Sequence, residues 1–122
     1  MMHQKALTFG DTIIAKMILE SSDPKEQKAL GRKVSGFNKD KWDDVCIGIV
    51  FKGNLAKFSQ NELLKKTLLS TDDKILVEAS PYDKIWGIGL AEDHPDVEDP
   101  SKWKGLNLLG WSITMVKKEL AK

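Results

Sequence analysis

Residues 78–90 read EASPYDKIWGIGL, and this stretch decides how the second half of the chain folds. It follows an apolar run, KILV, that is typical of a β-strand. It then introduces a proline and two glycines, which end regular structure, together with a tyrosine, a tryptophan and two carboxylates. We therefore expect a short strand followed by an irregular loop, the kind of segment in which binding residues concentrate.

The sequence on either side of this loop is dominated by helical signals. Asp11, Asp23, Asn38 and Asn61 each precede apolar residues at helical spacing, and their side chains are of the types that cap helix N-termini. Pro24 occupies a first-turn position, which proline favours. Helices are predicted in the stretches 1–9, 11–22, 22–34, 38–58, 61–71 and 105–122.

Together these signals predict an α+β fold: one mostly helical domain over residues 1–122, with one or two short strands between Lys74 and Leu90. The segment DKILVEA is the best strand, because Ile75 and Val77 share one face of an extended backbone. Trp111 is expected in the core of the last helix. Trp103 lies in a polar loop, where it lines a pocket or packs internally.

Composition excludes several functional classes. Nineteen basic and eighteen acidic side chains nearly cancel, so no bulk electrostatic binding of a polyanion is expected. Cys46 is the only cysteine, which rules out an intrachain disulfide and favours a buried thiol over a nucleophile. One cysteine and two histidines form no zinc-type cluster, so no metal is expected, and the single cysteine favours a reducing, cytoplasmic setting. No cofactor is expected, and no membrane partner either, since no apolar run approaches the roughly 20 residues of a membrane span.

The loop itself carries two interpretations. Glu78 and Asp83 beside the indole of Trp86 suit a flat polar ligand, and carboxylates near a ribose anomeric carbon suit cleavage of an N-glycosidic bond. Alternatively, Trp86 and Ile88 are core residues, while Glu78 and Asp83 form a solvated edge and a turn cap. Composition alone leaves both interpretations open.

Several motifs resemble the NADAR (YbiA-like) family of N-glycosidases. They are MMHQKAL, KALGRKVSGF, GNLAKFSQN, EASPYDKIWGIGL and DPSKWKGLNLLGWSITMVKKEL, in that order along nearly the whole chain. The resemblance implies hydrolysis of the N-glycosidic bond of ribosylamino-pyrimidine phosphates, which are riboflavin-pathway intermediates, or of ADP-ribosylated guanine. It also implies a helix-rich α+β fold, and as partners a small ribosyl or ADP-ribosyl substrate or an ADP-ribosylated nucleic acid.

The same resemblance implies roles for eight side chains. The catalytic residues carried over are Lys5, Glu78 and Asp83. In this scheme the Lys5 amine forms a Schiff base with the opened ribose, which requires a neutral amine. The substrate-binding residues carried over are Arg32, Asn54, Ser80, Trp86 and Asn107.

The chain departs from the family at its start. Family members carry a further segment upstream of the position of Met1, with an acidic-aromatic motif that leads into the first helix. This departure adds an alternative expectation, a non-catalytic module that binds ADP-ribose or a nucleotide, or an inactive truncated family member.

Overall fold

The computed structural model describes all 122 residues. It contains six α-helices and one short 3-10 turn, and it contains no β-strand. The helices are α1 (Met2–Thr8), α2 (Thr12–Glu20), α3 (Pro24–Gly31), α4 (Lys39–Ser59), α5 (Glu62–Leu69) and α6 (Leu108–Leu120), and the 3-10 turn is Pro100–Lys102. No helix combines the length and the apolar character needed to cross a membrane.

The predicted α+β class is therefore wrong. Residues 74–80, expected to hold a strand, have no regular secondary structure. A strand exists only when a neighbouring backbone completes its hydrogen bonds. Here the backbone groups of Leu76 and Glu78 bond instead to the side-chain amide of Asn107. One side chain thus takes the place that a partner strand would occupy.

The four helix starts predicted at the caps Asp11, Asp23, Asn38 and Asn61 are confirmed. The last helix begins at Leu108 and not at residue 105 as predicted. Asp11 accepts a hydrogen bond from the Ile14 amide at 3.0 Å, and Asp23 caps α3 just before Pro24. Asn61 caps α5 in the same way, and the long helix predicted to end near Phe58 is α4. These caps depend on neighbours within three residues, which explains why the sequence reveals them.

The chain divides into two compact units, and the first unit comprises Met1–Ile49. Its core brings together small and branched apolar residues of α1, α2 and α3 and the turn after α3: Ala6, Ala15, Ile18, Leu30 and Val34. Asp11 also makes a long-range hydrogen bond, in which its second carboxylate oxygen accepts from the Ser35 amide at 2.9 Å. These bonds lower the pKa of the Asp11 carboxyl. The Cys46 thiol is buried, as predicted.

The second unit comprises Val50–Lys122, in which α5 packs against α6. Its buried residues include Leu68, Ile88, Leu90 and Val116. The expectation that Trp111 is a core residue is wrong, because its side chain is 44% exposed. The buried positions of α6 are Gly110, Ser112 and Val116, and Trp111 projects to the side of that face.

Candidate functional site

The loop that follows Glu78 is held by backbone hydrogen bonds to the segment 104–109. Five successive carbonyls, those of residues 84–88, each accept an amide of that segment at 2.8–3.1 Å. Two of the donors, Leu108 and Leu109, belong to the first turn of α6, whose amides have no partner inside the helix. The loop carbonyls thereby provide hydrogen-bond partners for the first amides of α6, and these bonds in turn hold the loop in its course.

Gly87 allows this loop to close on itself. A Cβ atom at Gly87 would lie 2.8 Å from the Asp83 carbonyl oxygen and 2.9 Å from the Glu78 carbonyl oxygen. It would also lie 3.3 Å from the Ser80 Cβ. The first two distances are too short for any side chain, so only glycine lets these three predicted site residues gather round position 87.

Asn107 is the structural centre of this region. It is fully buried and has a left-handed backbone with φ 53°. Its Oδ1 accepts from the Glu78 amide at 3.0 Å, and its Nδ2 donates to the Leu76 carbonyl at 2.9 Å. Both functions of the side-chain amide are therefore used to position the chain before the loop. Sequence reasoning assigned Asn107 to substrate and missed this contact.

A signal for that contact does exist in the sequence. Gly110 follows Asn107 by three residues, and a Cβ atom at Gly110 would collide with the Asn107 amide and the Leu76 carbonyl. In the sequence, the signal is an isolated glycine inside a helical pattern, which indicates a packing reason for the missing side chain. The partner, 31 residues earlier at Leu76, cannot be identified from the motif.

Asp83 has one carboxylate oxygen engaged and one without a hydrogen bond. Its Oδ1 accepts from the amides of Ile85, at 3.0 Å, and Trp86, at 2.8 Å. This is the turn cap of the alternative interpretation. Oδ2 makes no hydrogen bond within the protein, so it remains able to bind a ligand or carry a proton.

Glu78 also has its backbone engaged and its side chain free. Its carbonyl accepts from the Ser80 and Ile88 amides at 3.1 and 3.0 Å. Its half-buried carboxylate makes no hydrogen bond or ion pair within the chain. Trp86 is half-buried as well, which places it between a core residue and an open stacking surface. The backbone of this loop is therefore fixed, while carboxylate oxygens of Glu78 and Asp83 remain available to a ligand.

Asn54 stands apart from this loop in its hydrogen bonding. It lies on α4, half-buried, and its Nδ2 donates to the Val50 carbonyl one turn earlier at 3.0 Å. The structure thus brings together Glu78, Ser80, Asp83 and, through Glu78, Asn107. It does not link Asn54 to them by any hydrogen bond.

Lys5 and Arg32 belong to the first unit. Lys5 lies on α1 and is half-buried, whereas Arg32 is exposed at the C-terminus of α3. Burial lowers the pKa of the Lys5 ammonium, and the positive charge of Arg32 lowers it further. Both effects favour the neutral amine, which is the form that attacks carbon.

Phe37 is a neighbour of Lys5 that sequence reasoning missed. The Lys5 Nζ lies 4.7 Å from the centroid of the Phe37 ring, within the range of a cation–π contact. The ring also meets Phe9 edge-on, with 5.3 Å between centroids. The aromatic residue directly after Gly36 was the available signal, but nothing in the sequence connects it to Lys5.

Comparisons with known proteins agree with the motifs. The model of the NADAR domain family matches residues 1–121. The chain is 48% identical over 119 residues to an N-glycosidase of Acanthamoeba polyphaga mimivirus, which covers 98% of this chain and 70% of that protein. It is 43% identical over 122 residues to the protein irg-1 of Caenorhabditis elegans, 57% of whose length is matched.

A plant protein matches over a smaller share of its own length. The chain is 33% identical over 106 residues to the chloroplastic riboflavin biosynthesis protein PYRR of Arabidopsis thaliana. The match covers 84% of this chain and 16% of that protein.

Proposed function

The chain belongs to the NADAR domain family, and from this premise we propose that it is an N-glycosidase. The observation that carries the proposal is a match over nearly the whole chain to a relative, 48% identical, that is named an N-glycosidase. The N-glycosidase activity predicted from the sequence motifs is borne out by that name. The residue roles that follow are part of the proposal.

In the proposed reaction Lys5 is the nucleophile. The ribosylamine first opens, and the lysine Nζ then adds to C1 of the opened sugar. The base nitrogen leaves with a proton as an amine, so that a lysine imine remains. Water hydrolyses this imine, releases the sugar and regenerates the amine. The lowered pKa of Lys5 supports this role, because only the unprotonated amine can add.

Glu78 and Asp83 are assigned the proton transfers. Opening the sugar and hydrolysing the imine each need a group that gives or takes a proton near the reacting carbon. What supports Glu78 is a half-buried carboxylate without a partner in the chain. What supports Asp83 is that only one of its carboxylate oxygens is used within the loop. Oδ1 accepts from the Ile85 and Trp86 amides, and Oδ2 makes no hydrogen bond in the protein.

The remaining residues are assigned to substrate binding. Trp86 offers an indole face to a base, and Ser80 and Asn54 offer hydrogen bonds to sugar hydroxyls. Arg32 offers a charge to a phosphate. Asn107 acts indirectly, since its amide holds the backbone of Glu78 in place.

The substrate is a small molecule with a ribosyl nitrogen bond. We propose a ribosylamino-pyrimidine phosphate, which the name of the PYRR relative supports, with ADP-ribosylated guanine as the other candidate. A cytoplasmic location is also proposed, for which the support is the single free thiol of Cys46.

Reductive trapping tests the proposal. The protein is incubated with a ribosylamino-pyrimidine phosphate and borohydride, and the adduct is mapped by mass spectrometry. We expect an adduct on Lys5 with borohydride present and, in a parallel incubation without borohydride, release of ribose phosphate. Lys5→Ala should lose the adduct and lower turnover by roughly 10⁴-fold or more, the scale seen when a covalent nucleophile is removed. The matched control is Lys16→Ala, an exposed lysine on α2.

Three outcomes would contradict parts of the proposal. Full turnover in Lys5→Ala rejects the nucleophile and leaves direct attack by water. An adduct on Lys16 instead of Lys5 indicates nonspecific reaction with the aldehyde. Saturable binding of ADP-ribose without turnover of either substrate indicates the non-catalytic module.

A further inference from the structure

The segment from Lys74 to Ala79 has one bonded side and one open side. On the bonded side, Leu76 and Glu78 meet the amide of Asn107. The side chains of Ile75, Val77 and Ala79 line a groove on one face of the segment. Alternation between two sides every second residue is the geometry of an extended backbone. The segment therefore has the form of a single strand, although no second strand pairs with it.

The open side presents unpaired backbone groups. Neither the amide nor the carbonyl of Ile75 or Val77 makes a hydrogen bond within the protein. Their side chains are also uncovered, with exposed fractions of 54% and 38%. An unpaired edge of this kind is a template on which another extended segment can pair.

The groove beside this edge has a defined opposite wall. Val97, Pro100 and Trp103 line it, and the Trp103 Nε1 donates to the Val97 carbonyl at 2.8 Å, which fixes the indole. The groove volume is about 540 Å³, enough for several residues of extended chain. A strand added at this edge would find hydrogen-bonding groups along the edge, and its side chains on the groove face would find apolar contacts.

We propose that this edge binds an extended peptide segment in which apolar and basic residues alternate, added as a strand beside Ile75 and Val77. In this mode the main chain supplies affinity, and pockets for alternate side chains supply specificity. The apolar residues face the indole wall formed by Val97 and Trp103.

The preference for basic residues follows from charge. Glu92 and Glu98 line the groove, and the surrounding stretch also carries Asp93, Asp96 and Asp99. Lys102 lies 3.6 Å from Asp96 and 3.9 Å from Asp99, and Lys74 is the one basic residue that lines the groove. Carboxylates outnumber ammonium groups here, so a cationic peptide is favoured.

The test uses a capped pentapeptide of alternating valine and lysine, with valine at both ends. At a peptide concentration of about ten times Kd, hydrogen exchange of the Ile75 and Val77 amides should slow roughly tenfold. Two N-methylated versions provide a matched pair, one methylated at the valines and one at the lysines. Since alternate amides point in opposite directions, only one version should lose binding.

Two protein variants sharpen the experiment. Val77→Pro removes an edge donor at a position where a strand edge tolerates proline, and it should abolish binding while the fold persists. Val77→Thr keeps the amide and should bind as the parent does. The charge control is a capped peptide of alternating valine and glutamate, which should bind more weakly than the valine and lysine peptide.

Three results would overturn the proposal. Unchanged exchange of Ile75 and Val77 at saturating peptide would exclude strand addition, and equal binding of both N-methylated peptides would show contact through side chains alone. Slowed exchange that depends on protein concentration without peptide, with a dimer in sedimentation, would assign the edge to a second copy.

Discussion

The two units of this chain are stabilised in different ways. The first unit, Met1–Ile49, packs three short helices around apolar side chains, among them Ala6, Ile18 and Leu30. The second unit, Val50–Lys122, contains a long irregular region whose course is determined by hydrogen bonds to α6 and to the amide of Asn107. In the first unit the burial of apolar side chains positions the backbone, whereas in the second unit hydrogen bonds to backbone groups position much of it.

This difference has a consequence for the candidate residues. Lys5 lies on a helix, where packing and nearby charge change the pKa of its amine. Glu78 and Asp83 lie on a loop, where the backbone is tightly bonded and each side chain keeps at least one oxygen free. Substitutions near Lys5 should therefore change the pKa of its amine, whereas substitutions around the loop should change the positions of Glu78 and Asp83.

The largest expected effect is that of Asn107→Ala on stability. It leaves the Glu78 amide and the Leu76 carbonyl without partners, and each buried unpaired group costs about 1–3 kcal/mol. We expect the free energy of unfolding to fall by about 2–6 kcal/mol, measured by thermal and urea unfolding. Asn107→Gly, which removes the left-handed strain but also the amide, should lose nearly as much.

The matched control is Asn54→Ala. Its amide bonds only to the Val50 carbonyl of its own helix, so the loss should stay below about 1 kcal/mol. Equal losses of unfolding free energy in Asn54→Ala and Asn107→Ala would contradict the comparison, because the second unit would then not depend on the side-chain amide of Asn107.

The next effect concerns the two carboxylates. Glu78→Gln and Asp83→Asn should each lower N-glycosidase turnover on the order of 10²-fold, the usual scale for removing a proton-transfer group. Asp83→Asn keeps an oxygen that can accept from Ile85 and Trp86, so the loop should stay folded. Turnover and melting temperature measured together separate chemistry from folding. Parent-like turnover in both variants would remove the carboxylates from the mechanism.

Trp86→Ala comes third. As a half-buried stacking surface, Trp86 should contribute roughly 1–3 kcal/mol to binding of a base-containing ligand. As a core residue it would instead lower stability by roughly 3–5 kcal/mol. Titration calorimetry with ADP-ribose, together with melts with and without this ligand, distinguishes the two. A large stability loss with unchanged affinity would make Trp86 structural.

The smallest effect concerns the pH dependence of Lys5. Arg32→Gln removes one of the two causes that lower the Lys5 pKa, so the pKa should return part of the way toward 10.5. The pH profile of imine trapping should then shift to the alkaline side. Lys33→Gln, which changes an adjacent basic residue, is the control and should leave the profile in place. An unshifted profile in Arg32→Gln would leave burial as the sole cause.

The same lowered pKa has a definite sign in stability. Between the folded-state pKa of Lys5 and its ordinary value of 10.5, the unfolded chain binds the proton and the folded protein does not. The free energy of unfolding therefore rises as pH rises through this interval. Arg32→Gln should narrow the interval and flatten that rise, which urea unfolding at several alkaline pH values would measure.

Much of the first unit could be predicted from its sequence. The caps at Asp11 and Asp23 act on amides two or three residues away, so a short pattern contains both partners. The tie from Asp11 to Ser35 could not be predicted, because it joins residues 24 positions apart. The exposure of Trp111 was also mispredicted, since helical spacing shows which residues share a face but not which face is covered.

The sequence by itself determined the helices, the irregular loop and the family, because helix caps, apolar periodicity and motifs each depend on residues that are close together in the sequence. Only the tertiary structure decided that the segment after Lys74 pairs with a side chain and not with a strand. It also decided that Lys5 meets Phe37 and that Asn107 holds Glu78. These contacts join residues about 30 positions apart, and pairing over such distances depends on how the whole chain folds.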